Sequence, residues 1–313
     1  MQVLVTGATG VIGCRVVPLL VAGGHRVTAV GRSAERLAAL ERQGATTSRV
    51  DLFDPGMLRA AVAGCDAILN LATHMPKTTT RMLFPGAWAE NDRLRRIGSA
   101  NLVDAALTEN VRRFVQESFA PAYPDRGDQW IDEDTPIQPA GYNRTIADAE
   151  ASAARFTQRS GGAGIVLRFG AFYGPDSRFL RDMIRVVRRG WVPMPGAPES
   201  FLSPISHDDA ATAAVAALEV GAGTYNVVDD EPVTRREYFD TLAAVLGVPP
   251  PKFPPQWTVH LLGSAGELLS RSQRISNRKL KSQSGWAPKY PSVRESWRAV
   301  VSAMEKSGQT AAA

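Results

Sequence analysis

The residues best placed to do chemistry are Thr6-Gly7-Ala8-Thr9-Gly10-Val11-Ile12-Gly13, which follow directly on an apolar run at 3–5 and lead into a helical pattern. Glycines at that spacing permit a tight turn, a close approach of the backbone to a diphosphate, and close packing of the helix on the strand. The helix amino terminus then faces the phosphates. The chemistry implied is dinucleotide binding, with Gly7, Thr9, Gly10, Val11 and Ile12 expected around the phosphates. The next apolar run ends Val30-Gly31-Arg32-Ser33, with no carboxylate before Glu35. An acid there would accept from both ribose hydroxyls, whereas Arg32 offers a cation and Ser33 a hydroxyl to a 2′-phosphate, which favours NADP(H) over NAD. By position, Asp51 and Leu52 should lie beside the adenine, and Leu71 and Ala72 beneath the ribose and nicotinamide.

Such a loop needs a frame. Short runs rich in valine and isoleucine at 3–5, 27–30, 67–71, 114–116 and 165–167 alternate with helical patterns at 11–22, 34–43, 55–63, 89–109 and 142–159. That rhythm predicts an α/β fold, a Rossmann doubly wound parallel sheet with helices on both faces. After about Gly170 the alternation stops and proline-punctuated pieces separate several helices, which predicts a smaller, mostly helical carboxy-terminal substrate region. The expected division is 1–170, also receiving the 207–228 segment, for the cofactor, and 171–313 for the substrate. The tail from Gly308 offers nothing to bury and is expected to fray.

Composition excludes other classes. With 313 residues, 44% hydrophobic and 21% charged, the chain can bury a substantial core. Its formal charge of +5 is scattered, with no long basic run, so no nucleic-acid partner is expected. No apolar run nears the ~20 residues that span a bilayer, and no leader-like segment precedes the first strand, so neither membrane nor secretion is expected. Cys14, Cys65 and the four histidines show no ligand-like spacing, so no metal is expected and a reducing compartment, the cytoplasm, fits.

The glycine loop, Asn70-Leu71-Ala72, Tyr142, His207-Asp208-Asp209-Ala210-Ala211 and the closing Gly285-Trp286-Ala287-Pro288 resemble the extended short-chain dehydrogenase/reductases, the NAD(P)-dependent epimerase/dehydratase family, along nearly the whole chain. The resemblance implies a small-molecule substrate and, by analogy, a homodimer packed through the helices at 89–109 and 142–159. It also implies a tyrosine that exchanges a proton with a carbonyl, a lysine four residues later that lowers the tyrosine's pKa, and a serine that binds the carbonyl oxygen. Tyr142 takes the tyrosine position, but Ile146 stands where the lysine belongs. Aligning on Tyr123 puts Phe119 in the serine position, with Ser118 one residue away and, in a regular strand, facing the other side. Arg95 falls where an asparagine is expected. The catalytic candidates are therefore Tyr142, Ser118 and His74, with Arg95 or His74 expected to supply part of the missing electrostatics. An unperturbed tyrosine near pKa 10 is ionised in only about one molecule in a thousand at neutral pH, so Tyr142 is a poor base. It remains a serviceable proton donor to a carbonyl receiving hydride.

Strand carboxyl ends are where ligands bind in such sheets, so Phe119, Met75, Arg95, Phe172, Tyr173 and Trp191 are candidates to line the substrate, with ordinary interdomain packing the alternative reading for the aromatics. Asp208 and Asp209 read as a helix cap and its dipole partner. Three functions stay open. The leading one is an atypical NADP(H)-dependent oxidoreductase acting on a small, partly apolar carbonyl or hydroxyl compound. The others are a redox-neutral cyclase, isomerase or dehydratase, and a non-catalytic NADP(H) sensor.

Overall fold

The computed structural model describes residues 1–76, 81, 84–194 and 196–310. Its first half runs β1 (Gln2–Thr6), α1 (Gly13–Ala22), β2 (Arg26–Val30), α2 (Ala34–Glu41), β3 (Thr46–Ser48), α3 (Pro55–Val62) and β4 (Ala67–Asn70). Next come α4 (Ala89–Arg93), a π-helical turn at Leu94–Gly98, α5 (Ser99–Thr108), β5 (Arg113–Phe119), β6 (Trp130–Ile131), α6 (Ile146–Ser160) and β7 (Ala163–Phe169). The remainder is β8 (Ala171–Tyr173), α7 (Arg178–Arg188), β9 (Phe201–Leu202), β10 (Pro204–Ser206), α8 (His207–Ala216), β11 (Gly223–Val227), β12 (Val233–Thr234), α9 (Arg235–Leu246), α10 (Gly263–Ser270), β13 (Arg274–Ile275), α11 (Arg278–Ser284) and α12 (Val293–Thr310).

The central sheet has the order β11-β7-β5-β4-β1-β2-β3, with every neighbouring pair parallel. This is the doubly wound Rossmann arrangement, and the strand order reverses between β1 and β4, where such sheets open a crevice at their carboxyl ends. Parallel strands covered on both faces read as apolar runs because neither face meets water. The side-chain period of two sends Val3 and Val5 to one face and Leu4 to the other. On the first face they pack with Val16, Val17 and Leu20 of α1 and Ala210 and Ala214 of α8. On the second, Leu4 joins Leu58, Leu102, Phe114 and Phe156 from α3, α5, β5 and α6. A separate apolar cluster joins Leu180, Val187, Phe239, Leu242 and Trp297 of α7, α9 and α12. Leu280 of α11 and Trp286 pack instead on the first face of the sheet.

Several boundaries differ from the sequence expectation. The helix expected at 142–159 begins at Ile146, because Gly141–Asn143 closes a 3-10 turn through the Asn143 N–H to the Ala140 carbonyl. Tyr142 is therefore not on α6, whereas Ile146 is its first residue and is fully buried. The helix expected at 89–109 is interrupted by the π turn that carries Arg95, a distortion that concentrates at functional sites. The final helix continues to Thr310, and residues 311–313 of the tail expected to fray lie outside the described residues. Ser206, not an aspartate, caps α8 by accepting from the Asp209 N–H. Asp208 instead pairs with Arg15 at 2.6 Å. Arg15 also holds Asp176 at 3.0 Å, and Asp176 lies 2.8 Å from His207 Nδ1, so these side chains clamp α1 to the loop after β8.

Two outcomes follow. Gly7 sits at φ +66°, and a Cβ there would lie 2.4 Å from the Leu71 carbonyl oxygen. Gly7→Ala should therefore cost about 3 kcal/mol and lower the melting temperature by several degrees, through left-handed strain plus a backbone clash. Although burial alone would raise the Asp176 carboxyl, hydrogen bonds to His207 and Arg15 hold it well below the usual carboxylate range. A depressed acid stabilises fully above its unfolded value, near 3.9 for aspartate, and loses that contribution as pH falls through the folded value. Melts across pH should thus show a wild-type advantage over Asp176→Asn that is full at neutral pH and shrinks below about pH 4.

Candidate cofactor cleft and active site

The loop between β1 and α1 is shaped first by the protein's own packing. Gly7 lies against β4, and a Cβ on Gly13 would sit 2.3 Å from the Gly7 carbonyl oxygen, so α1 is held hard against the loop. Gly10 carries a lighter internal demand, since a Cβ there would meet only the Gly7 carbonyl oxygen, at 3.0 Å. The N–H groups of Val11 and Ile12 donate to no acceptor among the described residues, and Val11 is exposed. The loop is thus a concave rim of backbone donors at a helix start, the arrangement that suits a diphosphate.

That rim opens into a cleft of about 780 Å³ lined by Gly7, Thr9, Gly10, Arg32, Asp51, Leu52, Leu71 and Ala72, among others. Ser33 is not among the lining residues, because its hydroxyl accepts from the Arg36 N–H and caps α2. Arg36 and Arg49, which the sequence reading missed, do line the cleft. Arg36 reaches the Thr9 carbonyl at 3.4 Å and Arg49 the Arg32 carbonyl at 3.2 Å, which gathers three guanidinium groups around the end of β2. Arg32 itself is 75% exposed and pairs with Glu90 at 3.9 Å, a loose contact. Arg93 stacks on Phe53 at 3.5 Å in the same wall. The signal for Arg36 was present, four residues after Arg32; Arg49 enters from β3 and has no local signature.

The candidate reaction centre lies where β4 and β5 end. Tyr142 stacks on Trp88, ring centroids 4.7 Å apart, and its hydroxyl makes no hydrogen bond to a described residue. Burial pushes the phenol up to about 12, against the opposing charges of Arg95 and Arg271. Of the two groups expected to help it electrostatically, Arg95 acts on Tyr142. His74 gives its backbone N–H to Asn91 Oδ1 at 2.9 Å and lines a separate cavity of about 480 Å³ with Pro76 and Phe84. Met75 is exposed beside it, and Phe119 is half-buried at the end of β5. Asn91, Glu117, Asn143 and Arg271 also belong to this neighbourhood and were not anticipated.

Three expectations are corrected. Ser118 is committed to a structural partner, its hydroxyl donating to Glu150 of α6 at 2.6 Å. Glu150 is held bidentately by Arg168 at 2.8 and 2.7 Å, Arg168 donates to the Tyr123 hydroxyl, and Tyr123 donates to Asn226. Ser118 is thus one member of a satisfied buried network across β5, β7 and β11. Tyr173 is buried against Trp297 with its hydroxyl bonded to Asp229 and Ser296, and Phe172 packs between Phe169 and His207. Both rings fill cores rather than the cleft. Trp191 is half-exposed after α7 in a bridge with Lys252.

Among the described residues, no group of histidine, cysteine and acidic side chains could hold a metal ion, and no helix is long and apolar enough to cross a membrane. Sheet, glycine rim and cleft together define a Rossmann protein of the extended short-chain dehydrogenase/reductase type. The NAD dependent epimerase/dehydratase family model matches residues 3–227, and the chain belongs to that family. It is 36% identical over 308 residues to a 3-diazoavenalumate denitrifying reductase from Streptomyces sp, covering 94% of this chain and 98% of the relative. It is 26% identical over 298 residues to a 2-alkyl-3-oxoalkanoate reductase from Shewanella oneidensis, covering 88% and 73%. The human epimerase family protein SDR39U1, solved with NADPH, shares the fold at a TM-score of 0.76, with 24% identity and coverage of 96% and 99%. The curated relatives named here are thus reductases, and the family binds a nicotinamide cofactor.

Because Ser118 serves the buried network, Ser118→Ala should cost roughly 1–2 kcal/mol in urea unfolding. Cofactor affinity and turnover should stay within about twofold of wild type. A large loss of turnover with little change in stability would return Ser118 to the reaction centre.

Proposed function

We propose that this chain is an NADPH-dependent reductase of small, partly apolar compounds. The observation that carries the reading is the set of Arg32, Arg36 and Arg49 at the rim of the cleft, beyond a strand end that lacks an acid. Guanidinium groups bind phosphate through paired charge-assisted hydrogen bonds, and a 2′-phosphate is what distinguishes NADP from NAD. A nicotinamide dinucleotide held there would supply the hydride. The loop amides of Val11 and Ile12 hold its diphosphate, and Leu71 and Ala72 floor the cleft. Tyr142, which keeps its proton throughout the physiological range, donates it to the oxygen of a carbonyl undergoing reduction. Reduction is favoured over oxidation because the reverse direction needs Tyr142 as a base. Residues 1–170 with 207–228 hold the cofactor in this reading, and 171–313 close over the substrate. The working compartment is a reducing one such as the cytoplasm, consistent with two free thiols. A homodimer would pack the outer faces of α5 and α6.

A second substrate class is favoured by Ile146 and Phe119, together with the likeness to the diazo-reducing relative. Replacing an aryl diazonium group by hydride would form one carbon–hydrogen bond with the electron pair supplied by the reduced dinucleotide, break one carbon–nitrogen bond and release N₂, with no alkoxide formed. Such a reaction asks nothing of the positions those two residues occupy.

Fluorescence titration should show NADPH binding more tightly than NADH. Arg36→Ala combined with Arg49→Ala should weaken NADPH by about tenfold or more, about 1.4 kcal/mol per tenfold, while leaving NADH nearly unchanged. Equal loss for both dinucleotides, or no NADPH binding, overturns the assignment. Turnover on β-keto carboxylates and on aryl diazo compounds, read as NADPH consumption and N₂ release, separates the two substrate classes. Product without NADPH consumption would make the enzyme redox-neutral, and binding without any turnover would make it a sensor.

A further inference from the structure

Buried polar atoms without partners gather around Tyr142. They are Asn91 Nδ2, Arg95 Nε, Glu117 Oε2 and both amide atoms of Asn143, each sealed from solvent and unpaired among the described residues. Trp88, Asn91 and Arg95 follow one another on the segment that runs through α4 into the π turn, and their contacts converge. They meet the Tyr142 ring through Trp88, the chain after β4 at His74 through Asn91, and Glu117 near the end of β5 through Arg95. Native proteins pair nearly all such atoms, so a cluster of orphans marks a place where something other than stability set the side chains.

The ion pair at its centre is unlike the others nearby. Arg95 Nη2 approaches Glu117 Oε1 at 3.5 Å, with the side chains only 6% and 12% exposed. A charge-assisted hydrogen bond is normally about 2.7–2.9 Å. By contrast, Arg168 grips both oxygens of Glu150. Arg271, the other cation acting on Tyr142, is committed to Glu267 at 3.2 Å and to the Tyr123 and Gln138 carbonyls. An ionised Glu117 would leave Oε2 buried as an anionic acceptor with no donor, which is costly. The groups acting on Glu117 are Arg95, which favours its charged form, and Glu150, which opposes it; burial is the largest influence and raises the carboxyl.

We propose that Glu117 is a positioning residue: in its protonated form it holds Arg95 beside Tyr142 through one hydrogen bond and leaves the guanidinium charge uncancelled. Arg95 then supplies, from the π turn, the cation that Ile146 does not. The consequence for turnover rests on the reductase reading, but the electrostatic claim stands without it. Neither substrate nor cofactor enters the test.

Difluorotyrosine placed at position 142 of the full chain ionises at lower pH than tyrosine, within the range where the fold persists, and fluorine NMR reads its midpoint. Arg95→Gln should raise that midpoint by about one unit, a tenfold change in ionisation, and Arg95→Lys should restore much of the difference. Glu117→Gln, a neutral isostere, should leave it within about 0.3 unit, whereas Glu117→Ala, which removes the tether, should raise it as Arg95→Gln does. A fall of about one unit in Glu117→Gln would mean that Glu117 is ionised and cancels Arg95. That fall, or no movement in Arg95→Gln, overturns the proposal, as does an unchanged midpoint in a folded Glu117→Ala. If Glu117→Ala does not fold, the Glu117→Gln and Arg95→Gln results decide.

Discussion

The backbone of Gly7 lies so close to the Leu71 carbonyl that no side chain fits between them, and the rest of the cleft depends on that contact. It joins the loop after β1 to the end of β4 at the point where strand order reverses, and so places the amide rim directly over the floor made by Leu71 and Ala72. Gly13 does the same on the other side by letting α1 seat against the loop. Because both contacts are internal, the rim takes its shape from protein packing and is preorganised for a diphosphate. A ligand site made this way loses little to ordering when it fills.

Two buried polar assemblies lie a few residues apart on β5 and have opposite characters. The one built from Ser118, Glu150, Arg168, Tyr123 and Asn226 is closed, each member engaging the next at 2.6–2.9 Å. Complete networks of this kind rigidify a core, since any broken member leaves an unpaired group in low dielectric. The assembly of Asn91, Arg95, Glu117 and Asn143 is open, with donors and acceptors left over. Strand parity decides which residue joins which: Ser118 turns toward α6, while Glu117 turns toward the π turn and Arg95. A register shifted by one residue would exchange the structural and the reactive side chains.

The π turn at Leu94–Gly98 carries the buried Arg95 to Glu117. Its extra residue rotates every later residue of the helix relative to an uninterrupted run from Ala89 to Thr108. Asp92 accepts from Thr145 at 2.7 Å, and this bond ties the helix to the chain just after the Tyr142 turn. The site is therefore held by contacts between two elements distant in sequence, neither of which is regular there.

What the amino-acid sequence determined by itself was local: the glycine loop between a strand and a helix, the alternation of apolar runs that forces a covered parallel sheet, and the missing acid after β2. These features act through sterics and periodicity within a few residues, so order along the chain is enough to read them. Even the second cleft arginine, Arg36, lay within one helical turn of the first. Tertiary structure alone decided that Tyr142 stands on a 3-10 turn outside α6, that Phe172 and Tyr173 fill cores, that Ser118 belongs to a structural network, and that Arg49 and Glu117 join their sites. Each of those outcomes depends on which face meets which neighbour across tens of residues. Burial and pairing, which set charge and reactivity, come into being only when the chain closes on itself.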